Sequence, residues 1–411
     1  MDLQTLIDTC YIDTLPSKRR SVDTVKYLTH IERNLMRLYH DINDRTLQPS
    51  AYSFIVMKPK PREVFAGDVG MRICQHYIRK AIQPGLNARI IDRSFSNQKG
   101  KGAQAAVNNV ISDIYELTEG YTREDCWIIK VDMKGYFPSA VQDIAYRQLE
   151  EIALDSKDAY MDDLIYLLQK SIYSYLVDHS VRKSDVSNWE FIEYTKSLYN
   201  AAAGIGGVIG WLIWQIAMIY YINEVCLWLI SDCGLRITVY MDDIVIITNN
   251  KEVTLTLMPE LRSRLKELNI TLHPNKFYCQ HWRHGLEFVG YHIKERRAYI
   301  NNRCRQNGLK KIHWLNRFIN ENKIDYFVSV VNSYLGRYKS VCGYNLIKEI
   351  IAAIDPQWWI YLEYDTDRQC IRPKPEYTYR QRIINRFKLQ KYDTKKRRNR
   401  KRNQQGSTAN S

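Results

Sequence analysis

The chain has 411 residues, and 60 Lys and Arg against 45 Asp and Glu leave a formal net charge of +15. That length exceeds a usual single domain, so two or three subdomains with sizeable cores are expected, and the positive balance points to a polyanionic partner. Nine cysteines without a CxxC pair or a Cys/His cluster argue against a zinc module and fit a reducing cytosol, so a cytoplasmic location is expected.

In chain order, Met1-Asp2-Leu3-Gln4 lacks the basic region and apolar core of a signal segment. Residues 22–45 set Val25, Leu28, Ile31, Leu35, Leu38 and Ile42 at helical spacing, which predicts one amphipathic helix within an N-terminal helical segment of residues 1–49. Residues 50–125 are basic and glycine-punctuated, with Lys58, Lys60, Arg62, Lys99 and Lys101, and a helix is expected from about Ala103. Trp127 to Asp132 reads as an apolar strand ending in one acid, and helices follow across 141–175. A polar stretch, about 176–203, reads as an insertion.

Val208 to Ile230 is the only stretch of membrane length. Gln215, Asn223 and Glu224 interrupt it and no basic anchors flank it, so it predicts a buried helix starting near Gly207. Ile237-Thr238-Val239 and Ile244-Val245-Ile246-Ile247 read as two buried strands joined at Tyr240-Met241-Asp242-Asp243. A helix over Glu252–Leu268, strands through Ile300 and a helical region from Arg303 complete the pattern, with Trp314, Leu315, Phe318, Tyr334 and Leu335 as an apolar face. From Ile371 onward 14 basic and 2 acidic residues carry +12, leaving +3 for the preceding 370. The tail, with Lys395, Arg397 and Arg398, is expected to be disordered and to bind phosphate non-specifically; a solubilising tail is the plain alternative.

Adjacent carboxylates at a strand junction are costly unless a cation neutralises them. Mg²⁺, a hard ion that takes oxygen ligands, suits them, with Mn²⁺ as a substitute. Two-metal phosphoryl transfer needs about three carboxylates around ions roughly 3.5–4 Å apart, and Asp132 with Asp242 and Asp243 supplies them if their strands lie side by side. Read alone, each feature also fits an ordinary role: a solvated turn, a strand end, a surface cation.

The chain resembles the reverse transcriptases on seven segments in family order, over roughly residues 50–355. Tyr240-Met241-Asp242-Asp243 resembles their metal-binding hairpin, and Val131-Asp132 followed by Phe137 their first catalytic strand. Arg62 in Pro59-Lys60-Pro61-Arg62 resembles the fingers arginine that meets the triphosphate. Ser94-Phe95 with Gly100-Lys101-Gly102 resembles a fingers segment of bacterial retroelement enzymes. Leu272 to Lys276 resembles the segment whose lysine lies near the pyrophosphate, Phe288 to Tyr291 the primer grip, and Asn332 to Gly336 a bacterial thumb helix.

The resemblance implies an α+β right-hand polymerase: fingers 50–125, palm 126–300, helical thumb 301–360 and a basic tail 361–411. It implies RNA-directed DNA synthesis with Asp132, Asp242 and Asp243 catalytic, and these three with the Met133 carbonyl holding two Mg²⁺. Lys58, Lys60, Arg62, Phe137, Ile209, Gln215 and Lys276 would bind the deoxynucleotide. Phe137 would exclude a 2′-hydroxyl, and Gln215 would support the template. Lys99, Lys101, Tyr240, Met241, Gly290, Tyr291 and the basic tail would touch nucleic acid. Aromatics, 12% of the chain with 30 tyrosines, can stack on bases.

Ile209-Gly210 and Gln215 match the pattern of diversity-generating retroelement enzymes, whereas Trp214 stands where they carry Ser. An apolar Ile209 leaves discrimination to shape, typically worth about 1–3 kcal/mol, so low fidelity is expected. The resemblance then implies a small basic accessory protein and a structured RNA as partners. An antiphage-defence (antiviral) reverse transcriptase is the alternative, and a silent RNA-binding scaffold the reading from another class.

Overall fold

The computed structural model describes residues 1–17, 21–58, 60–173 and 176–383. They form two compact units, Met1–His284 and the residues from Gly285 onward, so the division falls ahead of the expected palm limit at residue 300. Lys395, Arg397 and Arg398 lie outside the described residues.

The first unit opens with α1 (Leu3–Asp8), α2 (Val22–Leu28) and α3 (Ile31–Asn43). The single helix expected over 22–45 is therefore broken at Thr29–His30, where His30 leaves helical geometry at φ −133°. Leu35, Leu38 and Ile42 are buried, but Val25 is 52% exposed, so the apolar stripe does not continue through the break. β1 (Ala51–Val56) and β2 (Arg62–Gly67) pair antiparallel, ending on Val56 opposite Arg62. α4 (Val69–Arg89) is capped by Asp68, whose carboxylate accepts the Met71 amide at 2.8 Å. α5 (Ala103–Leu117) starts where the sequence places it.

β3 (Trp127–Lys134) leads to α6 (Gln142–Asp155), α7 (Met161–Ile172) and β4 (Ser180–Arg182). The insertion thus supplies a strand: β4 runs parallel to β1 and completes a three-stranded sheet, β2-β1-β4. The apolar helix begins at Leu212, not Gly207, because Gly210 at φ +104° keeps the preceding loop out of helical geometry. It is divided into α8 (Leu212–Tyr220) and α9 (Asn223–Ser231). The Leu212–Ser231 segment is long and apolar enough to cross a membrane, yet 67% of its apolar window is buried inside the protein.

β5 (Arg236–Tyr240), β6 (Asp243–Thr248), α10 (Val253–Glu267), β7 (Thr271–Leu272) and β8 (Tyr278–His281) complete this unit. β3 lies at the centre of a five-stranded antiparallel sheet, with β6 then β5 on one side and β7 and β8 on the other. The two-residue period of a strand sorts its side chains. Ile129, Val131 and Met133 face the main core with Ile244 and Ile246, leaving Lys130 and Asp132 on the opposite face.

The second unit begins with β9 (Leu286–Phe288), β10 (Tyr291–Lys294) and β11 (Arg297–Ile300), an antiparallel meander. α11 (Asn302–Leu315), α12 (Ile324–Lys339) and α13 (Tyr344–Ala352) follow, then the hairpin β12 (Leu362–Asp365) and β13 (Cys370–Pro373). The expected basic tail, 361–411, thus holds a hairpin at its start, and its residues 384–411 lie outside the described residues. Asn332 on α12 holds the hairpin through two 2.8 Å hydrogen bonds, donating to the Ile371 carbonyl and accepting the Ile371 amide. Phe327 stacks on Trp358 at 4.0 Å in this core. Leu315 and Leu335 are buried there, while Trp314 and Phe318 are 45% and 43% exposed.

Candidate active site

The strand register brings the three acids together. Asp132 on β3 lies opposite Asp243 on β6, and Asp242 occupies the tip of the β5–β6 hairpin. The Met133 amide donates to the Asp242 carbonyl at 3.0 Å, tying the end of β3 to that tip. The hairpin has a two-residue turn in which Met241 adopts φ +55°, a conformation a side chain rarely takes without support. Support comes from segment 93–97, which lies along β5: Phe95 donates to the Val239 carbonyl and Val239 to the Arg93 carbonyl, each at 2.9 Å. The Met241 amide donates to Ser96 Oγ at 3.3 Å, and Asn97 Nδ2 lies 3.7 Å from the Met241 sulfur.

Charge crowds this corner. Burial raises the Asp242 pKa, the nearby Asp132 raises it further, and Arg62 and Lys276 oppose the shift. Burial pushes Asp243 up to about 6; Lys130 opposes this, and Asp242 and Asp132 add to it. Lys276 Nζ donates to Asp132 Oδ1 at 2.6 Å, and Lys130 Nζ lies 3.4 Å from Asp243 Oδ1. The donor set fits a hard divalent cation: three crowded carboxylates, with Asp243 Oδ1 buried and lacking a well-formed hydrogen bond. Among the described residues, however, no three His, Cys, Asp or Glu side chains converge as a ready metal cage. The lysines stand against these acids instead. Lys130 was missed from sequence, although its period-two spacing from Asp132 puts both on one face.

The loop before α8 makes two close approaches, one to β2 and one to Phe137. The Phe65 amide donates to the Ile209 carbonyl at 2.8 Å, and a Cβ at Gly210 would stand 2.5 Å from the Phe65 carbonyl oxygen. Gly207 donates to the Phe137 carbonyl at 2.7 Å and lies under the buried Trp214 ring, which a Cβ would meet at 2.7 Å. A family model described as reverse transcriptase (RNA-dependent DNA polymerase) matches residues 60–293, more than half of the chain. The chain belongs to the reverse transcriptase family.

No curated protein sequence matches this reverse transcriptase significantly. Among solved structures it is similar to a telomerase from Candida albicans in complex with a fragment of telomeric RNA, at 11% identity and a TM-score of 0.43, covering 74% of this chain and 60% of that one. It is also similar to the apo telomerase from Candida tropicalis, at 13% identity and a TM-score of 0.46, covering 75% and 59%. The chain thus spans about three-fifths of these telomerase chains.

The remaining candidate residues divide into two groups. Lys58, Lys60 and Arg62 are exposed on the β1–β2 connection and the start of β2, Lys99 is exposed, and Phe137, Ile209, Gln215, Tyr240 and Met241 are half-buried in the first unit. Lys101, by contrast, is engaged within the protein. Its ammonium donates to the Asp92 carbonyl at 2.7 Å beside the Phe95 ring, and burial lowers its pKa. It braces the 92–101 loop, so the nucleic-acid contact expected of it is not free here.

Gly290 and Tyr291 need the same correction. Close approach at Gly290 (φ +83°) is made by Arg337, whose Nη2 would stand 2.2 Å from an added Cβ and donates to the Val289 carbonyl at 2.7 Å. Tyr291 is 4% exposed, packed under the Arg337 guanidinium, with its hydroxyl 3.2 Å from Ser340 Oγ. Its ring is core here and offers no face for a base.

Proposed function

We propose that this reverse transcriptase is an RNA-directed DNA polymerase that copies an RNA template into cDNA by two-metal phosphoryl transfer. The register pairing of Asp132 with Asp243, with Asp242 at the adjoining hairpin tip, carries this reading. Asp132, Asp242, Asp243 and the Met133 carbonyl would hold two Mg²⁺, or Mn²⁺ in their place, which when bound supply activation of a 3′-hydroxyl and charge neutralisation on the triphosphate.

The protein's own groups position and neutralise. Arg62, whose charge already reaches Asp242, offers a planar fork to phosphate oxygens, with Lys58 and Lys60 beside it. Phe137 shapes the sugar side of the pocket against a 2′-hydroxyl, and Gln215 supports the templating base. Lys276, resting on Asp132, is placed to turn to the departing pyrophosphate once Asp132 has another counter-charge. Such catalysis is mainly orientation and preorganised charge. Primer extension on an RNA template with Mg²⁺ tests it. Asp242→Asn should lose activity by a factor on the order of 10²–10³. A wild type that extends nothing, even with its own RNA and neighbouring accessory protein added, would favour the scaffold reading.

Within the family, the enzyme is proposed to be error-prone and part of a diversity-generating retroelement, acting in the cytoplasm with a structured RNA and a small basic protein. Ile209 supports this: its carbonyl is held by β2, which places an apolar side chain next to the strand that begins with Arg62. Ile209→Gln should lower misincorporation several-fold. Identical error spectra for the two proteins would count against the subfamily assignment.

A further inference from the structure

The 176–203 segment has no part in the reading above, yet it converges on one buried side chain of the fingers. Glu63 on β2 is 5% exposed and accepts three hydrogen bonds from that segment. Trp189 Nε1 donates to Oε1 at 2.7 Å, Ser197 Oγ donates to the same oxygen at 2.9 Å, and the Leu198 amide donates to Oε2 at 2.7 Å. Among the described residues, no Lys or Arg forms an ion pair with Glu63. A buried carboxylate is tolerated only when donors take its oxygens, so these three contacts fix the segment and β2 against each other.

Further contacts extend the attachment. β4 pairs with β1 from Ala51↔Ser180 to Ser53↔Arg182, and the Lys183 amide donates to the Ser53 carbonyl at 2.8 Å. The Arg182 guanidinium lies 4.0 Å over the Tyr199 ring, whose hydroxyl is 2.8 Å from Ser53 Oγ. A two-stranded hairpin alone is marginally stable in water, and β1–β2 would be one without this third strand. From β2's other neighbour, Ile209 and Gly210 hold the backbone at Phe65. Arg62 immediately precedes Glu63 and, by strand alternation, projects from the opposite face, toward solvent.

We propose that Glu63 is a positioning residue, and that the 176–203 segment is a strap which, through Glu63, holds β2 so that Arg62 is presented to the incoming nucleoside triphosphate. The proposal rests on the polymerase reading. Arg62 is the group that touches the substrate, and Glu63 acts through it.

Single-nucleotide incorporation of dTTP on poly(rA)/oligo(dT) by the full chain tests the strap, with thermal midpoints recorded for every variant. Glu63→Gln should raise the KM for dTTP about tenfold and Trp189→Phe about threefold, with kcat within about twofold of wild type. In an Arg62→Ala background Glu63→Gln should add nothing further, which a general loss of structure would not reproduce. If the folded Glu63→Gln protein keeps the wild-type KM, or its effect persists undiminished without Arg62, the strap is wrong while the polymerase reading stands. If the wild type extends no primer even with its own RNA and accessory protein added, both fall. Should Glu63→Gln not fold, Trp189→Phe with and without Arg62→Ala decides by the same criteria.

Discussion

At the scale of single residues, Asp243 concentrates the cost of building this site. Its carboxyl is pushed up to about 6 by burial, with Asp242 and Asp132 adding to the shift. The folded state therefore holds this proton more tightly than the unfolded chain. The resulting stability is fully present below about pH 4 and is lost as pH rises through about 6, a difference of about 3 kcal/mol. Without divalent cations, Asp243→Asn should stabilise the protein by roughly 2–3 kcal/mol at pH 8 and by much less at pH 4.5, read by urea denaturation in EDTA. Adding Mg²⁺ should narrow the gap at pH 8 by stabilising the wild type preferentially. An equal gap at both pH values would contradict this account. The acids themselves were legible in the sequence, because buried strands seldom end in paired carboxylates without a partner charge. Of their resting partners, Lys130 shares the local strand pattern, whereas Lys276 on Asp132 is a long-range contact that no local pattern encodes.

At the scale of elements, periodicity located most helices and strands but misjudged their ends. The helix expected over 22–45 breaks at His30, and the one expected from Gly207 starts at Leu212, since apolar spacing says nothing about backbone geometry at Gly210. Polar composition hid the strand in the insertion, because β4 is a three-residue edge strand whose hydrogen bonds, not its side chains, join it to β1. The β12–β13 hairpin was likewise concealed: its polar, mixed-charge residues leave no apolar strand pattern, and a strongly basic stretch follows it. Its attachment is testable. Asn332→Ala removes both 2.8 Å hydrogen bonds to Ile371 and should cost about 1–3 kcal/mol, with protease cleavage appearing first between residues 361 and 383. Unchanged stability and cleavage would mean that packing alone holds the hairpin.

At the scale of the whole molecule, charge is divided unequally along the chain. Residues 384–411 hold 10 basic and 1 acidic residue, so removing them lowers the net charge from +15 to +6. Counterion release then predicts a salt dependence of RNA binding shallower by several charges, measured by titration across about 50–200 mM salt, with little change in thermal midpoint. An unaltered slope would assign binding to the remaining residues alone. Composition and motif order, read from the sequence, determined the family and singled out the three acids that the strands bring together, because those are properties of residue type and local spacing. Only the tertiary structure decided which cations rest on those acids, that Lys101 and Tyr291 are spent on internal contacts, and that a polar insertion completes the β2-β1-β4 sheet. Each of these depends on side chains far apart in the chain meeting in space, where burial sets whether a charge is free or already matched.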